Sequence, residues 1–264
     1  MSGSEYSRVT EPLEAPILSL RGVSKSYGAV SAVRDIDLDV FRGQVLAICG
    51  DNGAGKSSLI KIISGAEAAT GGTITLRGEE VRFRSPHDAL TYGVATIYQD
   101  LALAMRLSIA QNVFMGAELT RPLLFPFLRV LDKKKMAQEA RGYLSRLSVA
   151  IDDMARPVER LSGGQRQAVA ISRALRWNAE IIIMDEPTAA LGVKETAQVL
   201  DLIRKLKAEG RTVILISHNM RDVVALADRV AILGGGRKYV DRPLDGLSAD
   251  DLSHLIMNRS ANPG

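Results

Sequence analysis

A glycine-rich octapeptide constrains the fold of this chain more than any other feature of its sequence. Residues 50–57 read Gly-Asp-Asn-Gly-Ala-Gly-Lys-Ser and follow the pattern GxxxxGK[ST] of a phosphate-binding loop. A nearly continuous apolar run, residues 44–49, precedes this loop, and residues 57–63 continue with helical spacing. A glycine-rich turn that binds nothing would not require these flanks. The order strand, loop, helix therefore predicts the start of an α/β core with a phosphate site.

The residue types in this loop suit a nucleoside triphosphate with Mg²⁺. Glycines let the backbone fold around the phosphates with its N–H groups pointing inward, and the start of the following helix adds a favourable dipole. Lys56 is expected to reach the β and γ phosphates, and Ser57 the Mg²⁺. The predicted binding residues are Gly50, Asp51, Asn52, Gly53, Ala54, Gly55, Lys56, Ser57 and Ser58.

Two adjacent carboxylates follow a second apolar run and fit the Walker B element of such a site. Residues 181–184 are apolar, and Asp185 and Glu186 come directly after them. We expect Asp185 to hold the hydrated Mg²⁺. Glu186, pointing the other way by strand alternation, is expected to polarise the attacking water as a general base. The alternative is an ordinary strand end running into solvent, which explains one acidic residue better than two.

A third motif narrows the class of protein. Residues 161–165 read Leu-Ser-Gly-Gly-Gln and lead into a helical pattern that ends at residue 175. Ser162 can cap this helix, whose first N–H groups and two glycines form a face suited to a γ-phosphate that the chain's own loop does not hold. A capped glycine turn without a ligand would explain the shape but not the coincidence with the other motifs. The intact LSGGQ motif resembles the signature of the ABC ATPase family. The resemblance implies nucleotide contacts for Ser162, Gly163, Gly164 and Gln165.

The resemblance covers about residues 17–240 and implies roles for three further side chains. Tyr27 resembles the aromatic residue that stacks on adenine, Gln99 the glutamine that touches Mg²⁺ and the attacking water, and His218 the histidine that contacts the γ-phosphate. Taken singly, a packed tyrosine and a structural histidine would be the commoner interpretations. The nucleotide implied is ATP. The implied catalytic residues are Glu186, His218 and Gln99, and the implied Mg²⁺ ligands are Ser57, Gln99 and Asp185.

One position departs from the family pattern. After residues 186–188 most members read Ser-Ala-Leu-Asp, whereas residues 189–192 of this chain read Ala-Ala-Leu-Gly. In the family this aspartate of the D-loop helps each ATP site to sense its partner across a dimer. Gly192 therefore leaves ATP binding as predicted but puts the coupling between the two sites in doubt.

Two details resemble the branch of the family that imports pentoses and hexoses. They are the Asp51-Asn52 pair in the loop and the Ala-Ala-Leu-Gly-Val run at residues 189–193. Members of that branch often carry two ATPase halves in one chain, whereas each motif occurs once here, as in the fructose-import type. The chain is therefore expected to pair with itself. No residue is expected to contact sugar, since the binding protein and the permease select which sugar is transported.

Composition limits the cellular setting. Lys and Arg outnumber Asp and Glu by 34 to 30, a balance compatible with nucleotide, nucleic acid or an anionic membrane surface. The single cysteine, Cys49, lies in an apolar run and is predicted to be buried, which fits a reducing cytoplasm. No apolar signal region and no run of about 18 apolar residues is present, so neither export nor a membrane span is expected.

The predicted fold is a P-loop, RecA-like α/β core with an antiparallel β layer near the N-terminus and an inserted helical lobe at about residues 100–165. Residues 1–15 are expected to form a flexible tail, and residues 16–264 one ATPase domain. Strands are predicted at residues 17–20, 36–41, 44–49, 73–76, 94–98, 181–184, 213–216 and 230–233. Helices are predicted at residues 57–63 and 193–207, with helical texture over residues 108–148 interrupted at residues 121–127.

The resemblance implies the ATP-binding and ATP-hydrolysing subunit of an ABC importer, for a sugar such as fructose or ribose. Its expected partners are a second copy in a head-to-tail dimer, a transmembrane permease and, indirectly, a periplasmic sugar-binding protein, with no nucleic acid. Its expected place is the cytoplasmic face of the inner membrane. The alternative is a soluble ABC ATPase outside transport, such as an iron-sulfur assembly ATPase. A scaffold without turnover fits poorly with Glu186 and His218.

Overall fold

Strands and helices alternate along most of the chain, of which the computed structural model describes residues 15–123 and 128–260. The strands are β1 (Leu18–Tyr27), β2 (Val30–Val40), β3 (Val45–Cys49), β4 (Gly71–Leu76), β5 (Glu79–Val81), β6 (Val94–Ile97), β7 (Thr120–Pro122), β8 (Arg129–Leu131), β9 (Ile181–Asp185), β10 (Thr212–Ile216), β11 (Arg229–Gly234) and β12 (Arg237–Pro243). The helices are α1 (Lys56–Ile63), α2 (Pro86–Thr91), α3 (Ile109–Phe114), α4 (Lys133–Arg146), α5 (Gly163–Arg176), α6 (Val193–Ala208), α7 (Met220–Leu226) and α8 (Ala249–Ser260).

The N-terminal sheet is antiparallel, with the strand order β2-β1-β4-β5. Leu18 of β1 pairs with Val40 of β2 on one side and with Leu76 of β4 on the other. Along the end of β2, buried Ile36, Leu38 and Val40 alternate with more exposed aspartates. This period of two places one face of the sheet against the core and the other towards solvent. The predicted antiparallel layer is confirmed.

The second sheet places the motifs at a common edge. Its order is β12-β11-β3-β10-β9-β6, and its strands run parallel apart from β12, which pairs antiparallel with β11. Strands β3 and β10 are buried at every residue, as expected for a parallel sheet covered on both faces. The loops that follow the carboxyl ends of β3, β6, β9 and β10 carry the octapeptide, Gln99, Glu186 and His218.

Helices α3 and α4 lie in the stretch predicted as an inserted helical lobe, and α5 packs against them. Ser108 begins α3 with a capping box, in which its hydroxyl accepts the Gln111 N–H at 3.2 Å while the Gln111 side chain accepts the Ser108 N–H. Helix α4 buries Met136, Ala140 and Leu144, which lie four residues apart on one face. These residues belong to one apolar cluster with α5 and the inner faces of β6, β9 and β10. The lobe therefore shares its core with the central sheet.

The structure confirms the predicted fold class and adds elements that the sequence pattern did not indicate. The interruption predicted at residues 121–127 overlaps β7, which pairs antiparallel with β8, and residues 124–127 lie outside the described residues. Strand β1 was predicted to end at Leu20 but continues to Tyr27. Its second half pairs irregularly with β2 and lacks regular alternation, so no strand pattern was visible there. Helices α2, α7 and α8 and strands β5 and β12 were not predicted.

Several boundary expectations stay predictions. The expected tail, residues 1–15, lies outside the described residues except for residue 15, and the limits of the lobe at about residues 100 and 165 stay predictions. Cys49 is fully buried, as predicted, and burial raises the pKa of its thiol to about 12. In the described part of the chain, no helix combines the length and the apolar character needed to cross a membrane.

Candidate nucleotide site

A cavity of about 470 Å³ lies at the carboxyl edge of the parallel sheet. It brings together most of the side chains predicted to bind nucleotide, although they come from four separate loops. Its lining residues are Ala32, Asn52, Gly53, Ala54, Gly55, Lys56, Ser57, Ser58, Gln99, Asp185, Glu186, Ile216 and His218. Ala32 and Ile216 were not predicted, because a single apolar residue carries no sequence signal for such a position.

The backbone of the octapeptide explains its glycines. Gly50 has a φ of 145°, and a Cβ there would lie 2.2 Å from the carbonyl oxygen of Leu233. Gly55 has a φ of 99°, and a Cβ there would lie 2.4 Å from the carbonyl oxygen of Ala32. Both positions therefore exclude any larger residue, because the loop passes against neighbouring backbone in a left-handed conformation. Helix α1 begins at Lys56 directly after this turn, so its N-terminus faces the cavity.

Lys56 lies over the loop that precedes it. Its Nζ donates to the carbonyl oxygens of Gly50 and Asp51, at 2.6 Å and 2.9 Å. The ammonium is thereby kept beside the cavity and not in the apolar core. An ammonium held there by two neutral acceptors is suited to bind a more strongly charged phosphate.

Strand alternation predicted that the side chains of Asp185 and Glu186 would point to opposite sides. In the structure they do not. Asp185 ends β9, but Glu186 has a φ of 49°, a left-handed conformation that turns the chain out of the strand. Its N–H still donates to the Ile216 carbonyl at 3.0 Å. Both side chains consequently line the same cavity. A non-glycine residue in this strained conformation is typical of functional sites.

The electrostatics at Asp185 favour a bound cation. Burial raises the pKa of this carboxyl above its ordinary value, the charge of Glu186 raises it further, and the ammonium of Lys56 opposes both. Ser57 and Gln99 line the same cavity and offer two more oxygen ligands. Within residues 15–123 and 128–260, no group of three or more His, Cys, Asp or Glu side chains could form a metal cage. A few oxygen ligands completed by phosphates and water are the arrangement that Mg²⁺ prefers.

His218 pairs with Glu186 at the open end of the cavity. His218 Nδ1 lies 2.7 Å from Glu186 Oε2, so an imidazole N–H at this nitrogen donates to the carboxylate. The histidine side chain is 73% exposed while that of the glutamate is 16% exposed. The imidazole is therefore accessible to a ligand entering from solvent, and it fixes the orientation of the carboxylate behind it.

The signature residues lie elsewhere on the chain. Ser162 caps α5 as predicted: its hydroxyl accepts the Gln165 N–H at 3.3 Å, and Gln165 Oε1 accepts the Ser162 N–H at 3.1 Å. Gly164 and Gln165 line a different depression, shared with Gln198 and Lys205. None of residues 162–165 is among those that line the cavity holding Lys56.

Tyr27 is also absent from the residues that line this cavity. Tyr27 is 42% exposed, its hydroxyl donates to Glu67, and the ammonium of Lys25 lies 5.1 Å from the ring centre. An exposed aromatic face of this kind is available for stacking, so its contact with adenine stays a prediction.

Comparison with known proteins agrees with this geometry. Residues 33–189, which contain the octapeptide, the signature and both carboxylates, match the family described as ABC transporter. The chain is 46% identical over 245 residues to the fructose import ATP-binding protein of Rhizobium meliloti, a match covering 92% of this chain and 94% of that protein. It is 39% identical over 244 residues to the ribose import ATP-binding protein of Caldanaerobacter subterraneus, covering 92% of this chain and 48% of that protein.

A solved structure shares the architecture. It is the dimeric, post-hydrolysis state of an ATP-binding cassette bound to ADP and Pi, with a TM-score of 0.70 and 25% identity. The similarity covers 87% of this chain and all of that chain. The described strands and helices thus have the arrangement of an ATP-binding cassette.

Proposed function

This chain belongs to the ABC transporter family, and on that premise we propose that it is the ATP-hydrolysing subunit of a sugar importer. The observation that carries the proposal is the single cavity in which the octapeptide, Asp185, Glu186 and His218 converge. The chain is an ATPase, and its relatives are import ATP-binding proteins. These relatives exclude the alternative of an iron-sulfur assembly ATPase.

The cavity suggests a division of labour among the side chains. Lys56 binds the β and γ phosphates, while the N-terminus of α1 and the loop N–H groups hold the remaining phosphate charge. Ser57, Gln99 and Asp185 would hold Mg²⁺, which when bound neutralises developing charge on the phosphates. Glu186 accepts the proton of the attacking water, and His218 holds the Glu186 carboxylate in position and reaches the γ-phosphate.

A complete site in this proposal uses two copies of the chain. Ser162 and the start of α5 form an anion-binding terminus, yet they lie apart from the cavity of their own chain. A head-to-tail dimer brings the signature of one copy over the octapeptide of the other, and each γ-phosphate is then held from both sides. Closure on ATP and reopening after hydrolysis supply the movement that drives a permease.

The proposal also covers the transported cargo and the place of the chain in the cell. Likeness to the fructose and ribose import proteins supports a sugar of that size as cargo, with a periplasmic binding protein delivering it. The chain would then lie at the cytoplasmic face of the inner membrane, attached through the permease. Purification from detergent-solubilised membranes tests this: a co-purifying permease is expected, and reproducible recovery without any membrane protein would contradict it.

Mixing two inactive variants tests whether each site is shared between chains. Lys56→Ala removes the phosphate grip, and Ser162→Arg places a bulky cation at the helix terminus where the hydroxyl and the γ-phosphate meet. Each homodimer is expected to be inactive. Heterodimers formed by exchange contain one site that has lost both halves and one that is intact, so ATPase activity should reappear on mixing.

The control for this experiment is wild-type chain mixed with the Lys56→Ala/Ser162→Arg double variant. It shows whether one intact site is enough for turnover. If this control is active while the two single variants remain inactive together despite proven exchange, each site is contained in one chain and the shared-site dimer is wrong.

The replacement of the family aspartate by Gly192 gives a separate prediction. Gly192 is exposed, immediately precedes α6 and has no atom within 4 Å of a Cβ built on it, so an aspartate fits without strain. We expect Gly192→Asp to change the Hill coefficient of hydrolysis more than the affinity for ATP, because the residue is placed to face the partner. Gly192→Asn, equal in size but uncharged, is the matched control. An unaltered Hill coefficient and maximal rate would mean that this position has no coupling role.

A further inference from the structure

One carboxylate joins the first turn of α5 to the first turn of α6. Glu195 Oε1 accepts the backbone N–H of Gly163 at 2.9 Å, and Glu195 Oε2 lies 3.4 Å from the backbone nitrogen of Gly192. Gly163 belongs to the signature, and Gly192 ends the segment in which the family aspartate is missing. Glu195 therefore links the two segments that the proposed dimer presents to its partner.

The two segments pack closely on each other around this link. A Cβ on Gly163 would lie 2.4 Å from Leu191 Cδ2, and a Cβ on Gly164 would lie 2.6 Å from Gln198 Oε1. Both signature glycines thus allow the start of α5 to pack directly against residues 191–198. A hydrogen bond between an ionised carboxylate and a helix N–H is about twice as strong as a neutral one.

The link also involves the backbone N–H groups at the start of the signature helix α5. The start of α5 has two of its first N–H groups satisfied within the chain, that of Gly163 by Glu195 and that of Gln165 by the Ser162 hydroxyl. Ser162 itself remains exposed. The Glu195 contact to the Gly163 N–H therefore lies one residue from the exposed Ser162.

We propose that Glu195 is a positioning residue for ATP hydrolysis, which holds the signature helix and the segment ending at Gly192 as one unit against the partner's γ-phosphate. Gly192 has no carboxylate of its own. Glu195, three residues later, places a carboxylate near the Gly192 backbone nitrogen. This inference rests on the shared-site dimer of the proposed function.

If Glu195 only capped the start of α6, its substitutions would have different effects. Glu195 is the third residue of α6 and also lies near the Gly192 N–H, so it stabilises the start of that helix. If this were its whole role, any carboxylate at the position would serve, and its removal would lower the thermal stability of the ATP-free chain without a specific effect on the dimer.

Three substitutions separate the two roles. Glu195→Ala removes the acceptor, Glu195→Asp keeps the charge but is one methylene too short to span the 2.9 Å contact, and Glu195→Gln keeps both reach and an acceptor. We expect Glu195→Ala and Glu195→Asp to lower kcat about tenfold, and Glu195→Gln to recover most of the rate. ATP affinity of the single chain should not change, because the cavity with Lys56 is not altered.

A second readout does not depend on turnover. In a Glu186→Gln background, which traps the ATP-bound dimer, adding Glu195→Ala should raise the ATP concentration needed for dimerisation about tenfold, as followed by size-exclusion chromatography. The matched control is Asp201→Ala, which removes a carboxylate of the same helix that is 64% exposed and pairs with Arg204. This control should hydrolyse ATP and dimerise as the wild type does.

Rates within twofold of wild type for both Glu195→Ala and Glu195→Asp would overturn the inference. So would normal hydrolysis by Glu195→Asp alone, which would assign Glu195 to helix capping. If Glu195→Ala does not fold, the contrast between Glu195→Asp and Glu195→Gln decides. A wild-type chain that neither hydrolyses ATP nor dimerises would instead contradict the proposed function.

Discussion

Glu186→Gln should bind ATP as the wild type does and hydrolyse it roughly a hundredfold to ten-thousandfold more slowly, the usual contribution of a general base. The amide has the same shape as the carboxylate and can still accept the contact from His218 Nδ1, now at 2.7 Å. It cannot accept a proton from water. The chemistry is therefore removed while the left-handed backbone at this position and the lining of the cavity are kept.

The measurement is ATP turnover together with size-exclusion chromatography in the presence of ATP and Mg²⁺. An ATP-dependent dimer should persist for the variant and be transient for the wild type. Glu180→Gln is the matched control, because Glu180 precedes the same strand at its opposite end, where it pairs with Arg42 and Arg77 at 2.8 Å and 2.7 Å. Rapid turnover by Glu186→Gln would remove the role assigned to this carboxylate.

Lys56→Ala should lower ATP affinity on the order of a hundredfold, because a lost charge-assisted contact costs up to about 3 kcal/mol. The fold should not be affected. The Lys56 ammonium donates to two carbonyl oxygens of its own loop, those of Gly50 and Asp51, and these contacts lie at the cavity and outside the apolar core.

Equilibrium titration with ATP and thermal unfolding of the ATP-free chain check the two parts of this prediction. Lys61→Ala is a suitable control, since Lys61 lies on the same helix α1 but faces Glu67, to which it donates at 3.0 Å. An affinity unchanged by Lys56→Ala would mean that the octapeptide does not bind phosphate through its lysine.

The sequence was sufficient for features that depend on neighbouring residues. The octapeptide needs its glycines for the φ angles of 145° at Gly50 and 99° at Gly55, and this local requirement is written in the motif itself. The capping of α5 by Ser162 was likewise predictable, because donor and acceptor are three residues apart. Fully apolar runs identified β3, β9 and β10 as buried parallel strands.

Features that depend on distant contacts were not predictable. Glu186 was expected to follow strand alternation, yet its φ of 49° takes it out of the strand. Its N–H is bound by Ile216 of the neighbouring strand, a partner that no local pattern reveals. The contact of Glu195 with Gly163 spans 32 residues and depends on the docking of two helices. Predicting such contacts requires the tertiary structure, because side-chain periodicity describes only which face of an element is buried.

The burial of Cys49 has a consequence for spectroscopy. Its thiol is fully enclosed and has a pKa of about 12, so at neutral pH it is neither ionised nor accessible to alkylating dyes. The natural chain already behaves as a cysteine-free background, because no other cysteine occurs in the sequence. A thiol introduced at an exposed position would take a fluorophore or a spin label alone. Opening and closing of the dimer can therefore be followed by distance measurements without altering any native residue except the labelled one.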